Sequence, residues 1–255
     1  MTAHDPTERP VRSLQRPEKV FEVVARDIVR EIQSKHLEPG SMLAPEAQML
    51  VEYNVGRGSL REALRVLEVH GLIAMKPGPK GGPVVGEVTS SSFGRMASLY
   101  FQAGAMTFNE LMEARTTLEP TLARLAAERR DPDRLRMLME AAAPADEQSL
   151  ADDSHYLRAS NRFHRLVIEL SGNRVIGLFL LALEDIMHDR VLRGRMLFPL
   201  EERPNVIKAH VDIAVAIGAG DGPRAERGMR EHMEVYASYV RERYPALIDE
   251  IIDWR

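Results

Sequence analysis

Arg57, Arg61 and Arg65 stand at i, i+4 and i+8, a spacing that puts all three guanidinium groups on one side of a helix. Arginines on a helix face can enter the major groove of DNA, where they make bidentate bonds to guanine edges or pair with phosphates. Taken alone, the same row also reads as a solvated basic face. Leu60, Ala63, Leu64 and Leu67 fall at i, i+3, i+4 and i+7 and give this helix an apolar face for a core. Ser59 lies in its first turn, within reach of a phosphate.

The neighbouring elements favour the DNA reading. Val20, Val23, Val24, Ile28 and Ile32 recur at helical spacing, and that helix stops at the breaker cluster Leu37-Glu38-Pro39-Gly40. A short helix from about Pro45 to Glu52 follows, with Pro45 suited to a first helical position and Glu46 to the helix dipole. Tyr53-Asn54-Val55-Gly56 then turns the chain into the arginine helix, which Gly71 closes. Leu72 to Met75 and Pro83 to Val88 can pair as strands around a loop holding Lys76, Gly78, Lys80, Gly81 and Gly82. Three helices and a hairpin in this order describe a winged helix-turn-helix. Lys76, Gly78 and Lys80 would form a wing tip that reaches phosphates or the minor groove, because its glycines let the backbone come close.

Pro39-Gly40, Leu43, Glu46, Val55, Arg57, Arg61-Glu62-Ala63-Leu64 and Gly71-Leu72 together resemble the DNA-binding domain of the GntR family of bacterial transcription regulators. Three positions depart from the family pattern. Ala44-Pro45 replaces a Pro-Ser order, Gly56 replaces Ser or Thr before Arg57, and Ala47 stands where many relatives carry a DNA-contacting Arg. The resemblance implies an unusual operator preference at the contact that Ala47 cannot make.

Beyond Thr89–Gly94, a Ser/Thr-rich stretch read as a linker, nearly everything is helical by period. Breakers at Asp131-Pro132, Pro144, Ser171-Gly172-Asn173, Pro199 to Pro204, Gly218 to Pro223 and Pro245 separate six or seven amphipathic helices, with Asp131 and Asn173 suited to N-caps. The expected fold is therefore mainly α: a winged helix-turn-helix over 18–88, then an all-α bundle over 95–255, with 1–17 a disordered arm. Arg9, Arg12 and Arg16 in that arm read as a loose tail, or as minor-groove contacts.

The helical half resembles the FCD ligand-sensing domain of the FadR subfamily, through Leu111–Ala127, Arg162–Asn173, His210 and His232. Relatives often hold a divalent metal there with three His and an Asp four residues before the first His. The matching histidines are His164, His210 and His232, but the Asp position is Ser160. Three neutral imidazoles suit zinc or nickel and leave positions open for a ligand; without the carboxylate, affinity should fall. On spacing alone, three histidines in a bundle also read as satisfied core residues. The resemblance makes Arg115 a clamp for an effector carboxylate, a task suited to its planar fork, and adds Asn173 as an effector contact. An internal salt bridge from Arg115 to Glu113, Glu119 or a neighbouring helix is the competing reading.

Composition narrows the classes. With 44% hydrophobic residues the chain can bury a core, and with no cysteine it excludes disulfides and Cys-ligated metal and fits a reducing cytoplasm. The longest apolar run, Val175 to Leu183, is far short of the roughly 18 residues that span a membrane. Residues 1–90 are charge-balanced, so the net charge of −4 resides in the rest and the basic footprint is local. The expected function is a ligand-responsive, non-enzymatic transcription regulator: a homodimeric repressor, released from a palindromic operator on double-stranded DNA by a small carboxylate or acyl metabolite. A metal-dependent hydrolase using the three histidines is the alternative, although no His-Glu-x-x-His motif supports it. A constitutive DNA-binding protein whose second half only dimerises is a third.

Overall fold

The computed structural model of the chain describes residues 18–78, 81–129, 131–143, 151–194 and 197–254. The arm expected over 1–17 and Lys80 of the expected wing tip lie outside these residues. The chain divides into two compact units, with the boundary between Val88 and Thr89.

The first unit contains α1 (Val20–Ser34), α2 (Glu46–Glu52), α3 (Arg57–Val69), β1 (Ile73–Lys76) and β2 (Gly82–Val85). Val24 and Ile28 of α1, Met49 of α2, and Leu60, Ala63, Leu64 and Leu67 of α3 close on one core with Leu43, Ile73 and Val85. The i, i+3, i+4, i+7 spacing read from the sequence is thus the buried stripe of α3. Asn54, at φ 48°, turns the chain between α2 and α3, and Gly71, at φ 71°, ends α3 in the left-handed region where a Cβ is costly. The wing is antiparallel, with Ile73 opposite Val85 and Lys76 opposite Gly82. Its strands are offset from the expected limits, and the second stops at Val85 rather than Val88. Residues 40–43 pair along its outer edge: Gly40 N donates to Val85 O at 2.8 Å, and Leu43 N to Pro83 O at 2.9 Å.

The second unit has seven long helices and one short turn of helix among the described residues. These are α4 (Ser90–Ala103), α5 (Phe108–Arg129), α6 (Pro132–Ala142), α7 (Asp153–Leu170), α8 (Arg174–Gly194), α9 (Arg203–Ala219), α10 (Gly222–Arg243) and α11 (Pro245–Ile248). The Ser/Thr-rich stretch expected as a linker is instead the start of α4. Thr89 is its N-cap, and its hydroxyl accepts from Ser92 N at 3.2 Å. Ser and Thr serve turns and helix caps equally well, so composition alone did not show that a helix begins here. Asp131, Asp152 and Asp221 cap α6, α7 and α10 through their carboxylates. α5 is central and touches α7, α8, α9 and α10. Ala123, Ala126 and Ala127 on α5 are fully buried with Ala225 and Met229 of α10, small residues that allow close helix approach.

Candidate functional site

On the first unit, Arg57, Arg61 and Arg65 are all exposed, on the side of α3 away from Leu60, Ala63, Leu64 and Leu67. Ser59 is half-buried beside them. Among the described residues, no carboxylate pairs with Arg57 or Arg65. Arg61 is approached by Glu46 of α2, Nε to Oε2 3.8 Å, a separation too long to tie down an exposed side chain. Gly56, the N-cap of α3, supplies no side-chain oxygen. The first amides of α3 therefore keep their positive dipole end open to an anion. Lys76 is exposed at the end of β1, and Gly78 has φ 106° with open space where a Cβ would be. This surface can contact a polyanion with guanidinium groups, an ammonium and bare backbone together.

In the second unit, α7, α9 and α10 bring His164, His210 and His232 together. His232 Nε2 lies 3.2 Å from His210 Nε2 and 3.2 Å from His164 Nε2, and all three rings are buried. Phe163 stacks on His210, with centroids 4.0 Å apart at 15°. His164 Nδ1 is 2.6 Å from Glu119 Oε2, so its Nδ1–H donates to the carboxylate and its Nε2 lone pair faces the cluster. Burial, with the neighbouring imidazoles, holds His210 well below the usual histidine range; burial holds His232 at about 3. Both are neutral at physiological pH, as metal ligands must be. As bare imidazoles the three Nε2 atoms can share at most one well-placed proton. A cation satisfies all three lone pairs. With metal–nitrogen distances of about 2.0–2.1 Å, a 3.2 Å separation subtends about 100°. That angle suits three adjacent sites on a tetrahedral or octahedral ion, so the residues fit a divalent metal.

Ser160 and Arg115 border the same cavity. Ser160 brings a hydroxyl where an anionic ligand was expected. Arg115 is buried on α5, its Nε 2.7 Å from Glu119 Oε1 and its Nη2 3.5 Å from Glu184 Oε1. The internal salt bridge and the cavity position thus hold together. Burial pushes the Glu119 carboxyl up, but Arg115 and His164 outweigh that and hold it at about 2. Burial prevails at Glu184, raised to about 8.

Asn173 is not part of this group. Its Oδ1 accepts from Ile176 N at 3.2 Å and caps α8, a local backbone role that its sequence context had also offered. His188, which no motif singles out, lines the cavity and bonds Asn161. Asn161, one step from the Ser160 position, also reaches the cavity wall. Glu184 was missed altogether. No motif marks it, because it reaches the site from α8 only through tertiary packing. Glu119 was visible as an i+4 partner of Arg115, but not as the carboxylate that orients His164.

The model of the bacterial regulatory proteins, gntR family, matches residues 21–80, and the FCD domain model matches residues 110–235. The chain belongs to the GntR family. This GntR regulator is 28% identical over 229 residues to the HTH-type transcriptional repressor NanR of Cronobacter sakazakii, covering 87% of this chain and 85% of that one. It is 28% identical over 248 residues to the NanR of an Enterobacter species, covering 91% of each. The structure of a Streptococcus agalactiae GntR superposes with a TM-score of 0.65 at 22% identity, over 86% of this chain and 99% of that one, a likeness of fold. The two domains make it a ligand-responsive DNA-binding transcription regulator. Among the described residues, no helix is long and apolar enough to cross a membrane.

Proposed function

We propose that this GntR regulator is a cytoplasmic homodimeric repressor, bound to a palindromic operator and released when a small carboxylate enters the cavity beside a metal held by His164, His210 and His232. The observation that carries the effector half is the convergence of three imidazole Nε2 atoms next to a buried arginine. The DNA half rests on the exposed Arg57, Arg61 and Arg65, with Ser59, Lys76 and Gly78 as backbone and phosphate contacts. The repressor sense is supported by the names of the similar NanR proteins. Two α3 helices related by a two-fold axis would read two half-sites one helical turn apart. Zinc or nickel suits an imidazole set, with water or an effector oxygen in the remaining positions. Release follows by population shift, if the effector binds tighter to the form that holds the operator poorly.

Selection from a random duplex library tests the reading. Enrichment of an inverted repeat, with one dimer bound per site, is the expected result. Enrichment of a single half-site would remove the dimer, and no enrichment would remove sequence-selective binding. Metal content of protein purified without chelator tests the three-histidine centre separately.

A further inference from the structure

The cavity beside the histidines contains an unmatched acceptor and an underused donor side by side. Glu184 is 5% exposed, and among the described residues neither of its carboxylate oxygens has a hydrogen-bond partner. Leaving such a group unsatisfied is costly, more so for a carboxylate than for a neutral group. Two arginines stand near it but are committed elsewhere. Arg165, 3.8 Å from Glu184 Oε2, pairs with Asp185 at 2.9 Å. Arg115, 3.5 Å from Glu184 Oε1, pairs with Glu119 at 2.6 Å. Among the described residues, Arg115 Nη1 has only the Met187 thioether as acceptor, at 3.0 Å, and sulfur is a weak acceptor for a guanidinium.

Each of the two arginines is balanced by another carboxylate, so Glu184 is the one carboxylate left over. A ligand that satisfies this corner has an oxygen acceptor for Arg115 Nη1 and, next to it, a donor for Glu184. A hydroxyl would fill one lone pair. An ammonium offers three donors, and its positive charge favours the ionised carboxylate that burial alone disfavours. The space is about 60 Å³. At about 10–15 Å³ per water-sized group, it takes roughly four to six heavy atoms.

We propose that the ligand of this cavity is a small zwitterionic α-amino acid, its carboxylate on Arg115 and its ammonium on Glu184, so that Glu184 sets specificity for the amino group. This rests on the reading of the cavity as the effector site. It narrows the small carboxylate to one that carries a cationic donor beside its acid group.

Two matched series test it on the full-length protein, dialysed free of excess metal: glycine, glycolate and acetate, then alanine, lactate and propionate. Members of each series differ in having an ammonium, a hydroxyl or a hydrogen at the same carbon. Affinity is read by thermal shift and calorimetry. The amino acid should bind at least about ten-fold tighter than its hydroxy and unsubstituted analogues, as one charge-assisted hydrogen bond in a buried site allows. In Glu184→Gln that preference should collapse, while shifts with operator DNA report that the variant is folded. The order in wild type decides the matter even if the variant fails to fold. Equal binding of lactate and alanine, preference for the hydroxy acids, or no binding in either series overturns the proposal. An amino acid that binds without releasing DNA would leave this inference standing and remove the release mechanism. Release by an acid without a donor would do the reverse.

Discussion

Arg61 is exposed, has only a distant partner in Glu46, and projects from the middle of the arginine row on α3. Arg61→Ala should weaken operator binding by about 1–3 kcal/mol and relax preference at one base pair, if the guanidinium reads a base. Titrations on selected and random duplexes check this: equal losses would assign Arg61 to phosphate, and no loss on either would take α3 out of the groove. In the second unit, Ser160 lies one helical turn before His164 and borders the same cavity. Ser160→Asp adds an anionic oxygen ligand and should slow metal loss during dialysis against a mild chelator. His210→Ala should lose the ion, because it removes one of three converging lone pairs. Metal analysis of the three proteins after the same dialysis gives the order. A wild type without metal under metal-replete conditions, with no effect of His210→Ala on stability, would make these histidines core residues.

The wing depends on close backbone approach. A Cβ added at Gly86 would lie 2.2 Å from Gly71 O and 2.9 Å from Leu72 C, and neither is the end of a flexible side chain. Gly86 N also donates to Leu72 O at 2.9 Å, so the two backbones cannot part without losing that bond. Gly86→Ala should therefore destabilise the first unit by about 1–3 kcal/mol, the usual range for forced overpacking. It should also weaken DNA binding by misplacing Lys76 and Gly78. Chemical denaturation followed by a probe within the first unit measures the loss; an unchanged midpoint would mean the strands separate freely. The α3 helix should tolerate the same test better at Gly58, where a Cβ meets nothing within 4 Å. Alanine there also improves helix propensity by about 1 kcal/mol.

For the second unit as a whole, four buried groups set how stability varies with pH. His210 and His232 have folded pKa values below the 6.5 of an unfolded histidine, so below that pH the unfolded chain binds protons that the folded one refuses. Their contribution is complete above 6.5 and is lost as pH falls from there. Glu184 works in the other direction, since its folded pKa of about 8 exceeds the unfolded 4.5 and the folded state loses ground as pH rises between them. Glu119, held at about 2, contributes fully above 4.5 and matters only in stronger acid. Between 4.5 and 6.5 two histidines oppose one carboxyl. Between 6.5 and 8 the carboxyl acts alone. Metal-free protein should thus be most stable near pH 6.5, with limbs of about 1.4 kcal/mol per pH unit for one proton of difference. Urea midpoints of chelator-treated protein from pH 5 to 8 trace the curve. A flat profile would mean that water reaches these groups, and Glu184→Gln should remove the alkaline limb and roughly double the slope of the acid limb, where the two histidines then act unopposed. Metal should steepen the acid limb, because protons compete for the same lone pairs.

The apolar period of α3, the breakers around it and the glycines of the wing were legible in the sequence, because they act over neighbours a few residues apart. The same is true of the arginine row, which a single helix places on one face whatever else the chain does. The histidines were legible only through resemblance. They lie on three helices, and nothing in their local sequence separates a ligand from a packed ring. Glu184 and His188 were not legible at all: a carboxylate and an imidazole on a helical face read as solvated until α8 packs against α7, which buries Glu184 and brings His188 to the cavity wall. Asn173 shows the opposite case, where a local cap accounts for a residue that resemblance had placed in the site. Periodicity fixes which face of a helix is apolar; only packing fixes which polar groups end on the inner side without water. That loss of water keeps His210 and His232 neutral, ties Arg115 to Glu119, and, among the described residues, leaves the two carboxylate oxygens of Glu184 without a hydrogen bond.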